Sequence, residues 1–234
     1  MESLLTLSIG EYSAVEITLR LAIVLISMTA LLMALATGSV ARQDRMTLIV
    51  PAVALAGAAW FESSVWVGWK EAFELTGSAY SVTGHLLAGE DRIMAWSLGV
   101  PATLFAIGMA CLPRGRHLIW LAAAAVVLAL ATPFSNIVWF ILYCWICWQI
   151  RPGLSGRRPS KICILAALTS IAIGFLLNTL GALHLFAFGG VASMELVQGE
   201  ISRSIIDIIS LVSPAVFLLL NILAFPRQQP VDAE

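Results

Sequence analysis

Ionisable side chains, among them Glu16, Arg20, Glu62, Arg92 and Asp207, interrupt stretches of this chain that are otherwise almost wholly apolar. A charge in a low-dielectric interior is costly, so such groups are paired or functional. At ~1.5 Å per helical residue, Glu62, Arg92 and Asp207 fall at similar depth in three different stretches. Each alone would be an orphaned charge, so an Arg92–Asp207 ion pair is expected, with Glu62 joining it or reaching outward. Such a cluster can clamp three helices together, or it can serve an ion path, a proton path or a ligand. Glu16 and Arg20 have i, i+4 spacing and should pair locally.

Other reactive types are dispersed. Cys144-Trp-Ile-Cys147 has the spacing of a redox motif. It lies in an apolar, Trp-rich helix, where thiols act as packing residues. Cys111 and Cys163 read the same way. His85, His117 and His184 are far apart, and no pair has metal-ligand spacing, so no metal site is expected. Asn178, Ser210 and Ser213 could bond across helices, and Pro214 should kink the helix that holds it. There is no Ser/His/Asp arrangement, glycine-rich phosphate loop or paired-carboxylate constellation, so no catalytic residue is assigned and an enzyme is not expected.

These groups must be positioned by seven apolar stretches, at about Val15–Thr37, Met46–Trp69, Arg92–Leu112, His117–Ala131, Phe134–Ile150, Ile162–Phe186 and Ile201–Phe225. Most approach the ~20 residues that cross a ~30 Å hydrocarbon layer as a helix; the fourth and fifth are shortest and share the turn Thr132-Pro133. Only 12% of residues are charged and mean hydropathy is +0.94, a composition foreign to soluble domains. In lipid the backbone must satisfy its own hydrogen bonds, so the stretches should be helices. The expected fold is an all-α, seven-helix transmembrane bundle. Residues 1–226 form one domain, followed by a short polar tail at 227–234.

Loop charges give the orientation. Arg42 and Arg45, then Arg114 and Arg116, then Arg151, Arg157, Arg158 and Lys161 fill alternate loops. Glu2, Glu11, Glu71, Glu74, Glu90, Asp91, Glu195 and Glu200 fill the others. The basic loops and the C-terminus belong in the cytoplasm and the N-terminus outside. The acidic start, Met1-Glu2, is no signal peptide. The lipid bilayer is the expected surrounding, and nothing suggests nucleic acid.

The third stretch reads Arg92-Ile-Met-Ala-Trp96-Ser-Leu-Gly-Val-Pro101. It resembles the Arg-Tyr-x-Asp-Trp-x-x-Thr-x-Pro segment of microbial rhodopsins of the proteorhodopsin and bacteriorhodopsin kind. Arg92, Trp96 and Pro101 match at the same spacing. Asp207 is similar to the seventh-helix Asp that precedes that family's retinal-binding Lys by four residues. Here the residue four further on is Leu211. The chain's two lysines, Lys70 and Lys161, both lie at stretch ends. The family's counterion Asp is replaced by Ala95, its Thr by Gly99 and its cytoplasmic proton donor by Ala106. The sixth stretch has Leu177-Asn-Thr-Leu-Gly181 in place of Trp-x-x-Tyr-Pro.

Retinal chemistry of that kind needs an amine for the Schiff base. The resemblance therefore implies the fold without covalent photochemistry, and no light-driven pump. Losing the Lys and its counterion together leaves the middle of the bundle neutral. The expected pocket lies among Ala95, Trp96, Gly99 and Leu211, for an apolar ligand such as a retinoid or carotenoid held without a covalent bond. A binding, membrane interaction or regulatory module follows, in a bacterial inner membrane, with a homo-oligomer or another membrane protein as partner. An ion or small-solute transporter and a membrane enzyme acting on a lipid or isoprenoid are the alternatives.

Overall fold

The computed structural model describes residues 5–42, 44–85, 89–112, 116–132, 136–155, 158–187 and 192–225. Expectations for Glu2, Arg114, Pro133, Arg157 and the tail lie outside these residues. The helices are α1 (Ile9–Ala36), α2 (Arg45–Ala72), α3 (Gly89–Cys111), α4 (Arg116–Ala131), α5 (Asn136–Ile150), α6 (Arg158–Ala187), α7 (Ala192–Asp207) and α8 (Ser213–Ala224). One π-helical turn, Ile208–Val212, joins α7 to α8 into a single seventh span, and a 3-10 turn, Arg151–Ser155, follows α5.

Five spans are long and apolar enough to cross a membrane, while α4 and α5 are shorter apolar helices. Apolar residues cover both faces of the helices. In α1, Val15, Leu19, Ile26 and Met33 face the core, while Ile17, Leu21, Val24, Leu31 and Leu35 are exposed. A helix hydrophobic all round faces other helices on one side and lipid on the other. The chain is an integral membrane protein.

The starts of two helices differ most from the sequence reading. α1 begins at Ile9 because Ser8 caps it: its hydroxyl accepts from the Glu11 N–H, and the Glu11 carboxylate accepts from the Ser8 N–H at 2.8 Å. This reciprocal capping box satisfies two otherwise unpaired donors. α7 begins at Ala192 rather than Ile201, which moves Glu195 and Glu200 from the expected loop into a helix.

A three-stranded sheet, not expected from the sequence, closes the same end. It consists of β1 (Thr6–Ser8), β2 (Phe73–Thr76) and β3 (Ala79–Val82), in the order β1-β3-β2 and antiparallel throughout. The β2–β3 hairpin turns on Gly77-Ser78. Gly77 has φ 67° and Ser78 does not share a positive φ, the pattern of a II′ turn. Tyr12 stacks on Tyr80 at 3.8 Å and lies 5.7 Å from the Trp69 ring, and Trp69 packs on Phe73. Aromatic packing thus fastens the sheet to α1 and α2. The main core, from Ile26 and Leu55 through Ile107 to Leu218, runs along the rest of the bundle.

Candidate functional site

Three buried helix stripes converge beneath this cap. On α3, Arg92, Ala95, Trp96 and Gly99 follow helical spacing and are all buried. On α7 and the π turn, Glu200, Ser204, Asp207 and Leu211 form a second stripe. α2 contributes Glu62, between Ala59 and Val65 on its buried face.

Arg92 is the hub, with 8% of its surface exposed. Its Nη1 donates to Glu200 Oε2 at 2.9 Å and its Nη2 to Ser204 Oγ at 3.2 Å. Its Nε lies 3.2 Å from Asp207 Oδ2 and 3.8 Å from Glu62 Oε2. Those two contacts are electrostatic only, since the Nε and these oxygens lack hydrogen-bond alignment. Trp96 Nε1 donates to Asp207 Oδ1 at 2.6 Å. Glu200 also accepts from Arg203 Nη1 at 2.8 Å, and Arg203 is half exposed. Glu62 is fully buried, its carboxyl group lies beside that of Asp207, and no donor among the described residues bonds to either of its oxygens. Its nearest cation is Arg92.

The structure thus places Arg92, Asp207 and Glu62 in one cluster. It adds Glu200, Ser204 and Arg203, which sequence reasoning left out. The signal was present: Glu200, Ser204 and Asp207 recur at i, i+4 and i+7. Starting the helix at Ile201 hid it.

Asp207 is the last residue before the π turn, where the Ser213 N–H bonds to the Ile208 carbonyl. Pro214 opens α8, so the distortion expected at this proline appears as the widened turn before it. Leu211, inside that turn, lies against Gly99: a Cβ built on Gly99 would come within 2.4 Å of Leu211 Cδ2. Ala95 and Leu211 are fully buried members of the main core. Gly99 and Leu211 are therefore packed together with Ala95 buried beside them on α3, and of the four expected pocket residues Trp96 lines the cavity beside the charge cluster.

That cavity, of about 590 Å³, lies beside the charge cluster. Trp69, Trp96, Trp139 and Phe175 supply aromatic wall, Asn136 and Asn178 amide groups, and Arg92, Arg203 and Asp207 a charged end. Trp139 stacks on Phe175 with ring centres 4.4 Å apart and planes within 5°. Behind it, Tyr143 stacks on Trp139 and donates its hydroxyl to the Leu168 carbonyl at 2.7 Å, which ties α5 to α6. Such a space suits a molecule with an extended apolar or conjugated body and a polar end.

The remaining expected groups stand apart. Glu16 and Arg20 pair on α1, and Arg20 lies over the Trp66 ring. Ser210 bonds back to the Ile206 carbonyl of its own span rather than across helices. Cys144 is exposed and Cys147 partly buried. His85 and His117 are exposed, and the side chain of His184 is outside the described set. Among the described residues no group of His, Cys, Asp and Glu is arranged to hold a metal.

No protein-family model and no curated protein matches the chain by sequence. Solved structures do match by shape. Xanthorhodopsin, a light-driven ion pump with dual chromophore, superposes with a TM-score of 0.82 at 17% identity, over 95% of this chain and 97% of its own. Thermophilic rhodopsin gives 0.76 at 18% identity, over 94% and 97%. The rhodopsin of Exiguobacterium sibiricum gives 0.67 at 16% identity, over 90% and 96%. The chain has the seven-helix fold of the microbial rhodopsins.

Proposed function

We propose that this rhodopsin-fold membrane protein binds an apolar, conjugated ligand of the retinoid or carotenoid class without a covalent bond. It acts as a binding or regulatory module rather than as a light-driven pump. The supporting observation is the contrast between two neighbouring places. At the π turn, where the resemblance calls for an amine, Leu211 packs into the space beside Gly99, and no lysine lies between Lys161 and the C-terminus. These residues do not fit a covalently attached retinal. Toward the sheet-capped end, the cavity walled by Trp96, Trp139 and Phe175 keeps an aromatic slot. A polyene would lie against those rings, its polar end toward Asn178 or Arg92, and would supply light absorption. The chain's own contribution is to hold and orient it and to exclude water.

The membrane proposed is a bacterial inner membrane, and the loop charges favour basic loops in the cytoplasm. Any output would pass to a second copy or to another membrane protein. Transport is the second reading, favoured by the buried charges of Glu62, Arg92, Glu200 and Asp207. Against a through-path, Leu104, Ile107, Leu218 and Ile222 pack beyond Ala95, and the polar groups buried with them, Thr103, Ser170 and Asn221, carry no charge.

The test is the visible absorption of membranes holding the protein after addition of all-trans retinal, beside a Leu211→Lys, Ala95→Asp variant. Native protein should bind retinal as a band close to that of the free pigment, removable by extraction. The variant should gain a red-shifted band that survives extraction. If neither form retains pigment, the ligand assignment fails. A red-shifted, extraction-resistant band in the native protein would overturn the non-covalent reading.

A further inference from the structure

A second concave site lies at the opposite end of the bundle, and the ligand reading above does not use it. It is a groove of about 440 Å³ lined by Trp148, Arg151, Pro152, Leu154 and Lys161. We infer that this groove binds the phosphodiester of an anionic phospholipid.

Its cations are held on fixed backbone. Leu154, in the 3-10 turn after α5, packs on the main core, so the turn that starts with Arg151 is anchored. At the start of α6, Ser160 donates to Asn221 Oδ1 of α8 at 2.6 Å, which places Lys161 one residue on. The two side chains themselves are exposed. Among the described residues neither forms an ion pair. Arg151 lies over the Trp148 ring, 5.4 Å from its centre.

Charge and helix geometry favour an anion here. Lys161 stands in the first turn of α6, which holds no acid. A cation at a helix N-terminus opposes the helix dipole, and both are satisfied by an anion placed between them. Arg151, in the turn after α5, lines the same groove, so two positive groups converge on it. Basic grooves between helix ends at the membrane boundary are suited to lipid headgroups.

The surroundings point to a lipid rather than to a soluble phosphate. Trp148, which lines the groove, and Ile162, next to Lys161 along α6, are 65% and 66% exposed. In a bilayer such apolar surface faces acyl chains, and tryptophan settles at headgroup level. A phosphodiester between Arg151 and Lys161 would leave its acyl chains to run down past Trp148 and Ile162.

The experiment uses the full chain in nanodiscs of phosphatidylcholine alone and of phosphatidylcholine mixed with phosphatidylglycerol. Lipid retained on the released protein is counted by native mass spectrometry. Each interfacial Lys or Arg adds roughly a fivefold gain for an anionic headgroup, so phosphatidylglycerol should be retained about tenfold or more over its share of the mixture. Arg151→Gln with Lys161→Gln should abolish the preference. Arg151→Lys with Lys161→Arg should keep it, which separates lost charge from lost structure. Excess inorganic phosphate should not displace the lipid. Equal retention of the two lipids, or an unchanged preference in the Gln variant, overturns the site. Displacement by inorganic phosphate overturns the lipid as its occupant. The retinal experiment reads the other end of the bundle, so either reading can fail alone.

Discussion

Arg92 collects its partners unequally, and the inequality can be measured. Glu200 and Ser204 take aligned hydrogen bonds from it, Asp207 an unaligned contact at 3.2 Å, and Glu62 only a 3.8 Å approach. Removing one member of a buried pair leaves the other charge uncompensated. Asp207→Asn should therefore lower the stability of the detergent-purified protein by about 3 kcal/mol. Arg92→Gln combined with Asp207→Asn should recover part of that loss. Additive single effects in this double-mutant cycle would refute a coupled pair. Glu62 should behave differently, because its carboxyl oxygens give up no hydrogen bond when neutralised. Glu62→Gln removes a carboxylate from beside Asp207 and keeps the shape. Its denaturation midpoint should match or exceed that of the native protein, within about 1 kcal/mol. A loss as large as that of Asp207→Asn would make Glu62 a full partner in the cluster.

Among the elements, the π turn and α6 constrain each other. A Cβ on Gly174 would come within 1.7 Å of Ser210 Oγ and 3.0 Å of Ser210 Cβ. Only glycine lets α6 approach the π turn this closely. Gly174→Ala should cost about 1–3 kcal/mol through overpacking, and adding Ser210→Ala should restore part of it, read by thermal unfolding. No loss in Gly174→Ala would mean that α6 can move away freely. Such a contact was not legible in the sequence, because nothing local to Gly174 names its neighbour on another span. The seven spans were legible, since lipid imposes apolar runs of helical length. The segment around Arg92, Trp96 and Pro101 was also readable as spacing. The start of α7 was not, because Glu195 and Glu200 make its first turns read as loop when their partners are unknown. The hairpin's Gly77-Ser78 was the one local sign of a sheet. It is a weak sign, because β2 and β3, at four residues each, are too short to show alternation. The cavity beside Trp139 needed the stacking of α5 on α6, and Leu211's place against Gly99 needed the π turn.

At the scale of the molecule, three contacts tie ends of spans that must lie on one side of the membrane. β1 pairs with β3, so the segment before α1 and the α2–α3 connection share a face, and two crossings separate them. Arg92 at the start of α3 meets Glu200 near the start of α7. Ser160 at the start of α6 meets Asn221 near the end of α8. These bonds agree with one strict alternation, and the charged loops choose which face is inside. The acids gather on the sheet face and the cations on the other, so the sheet face should be outside. In a background with the four cysteines replaced, Ser78→Cys at the hairpin tip should label with a membrane-impermeant maleimide in intact cells. Ser39→Cys, in the α1–α2 connection, should label only after permeabilisation. Both positions are exposed, so access to the reagent is decided by the bilayer alone. The reverse pattern would invert the whole molecule: the aromatic cavity would then face the cytoplasm, and the Arg151–Lys161 groove would meet the outer leaflet.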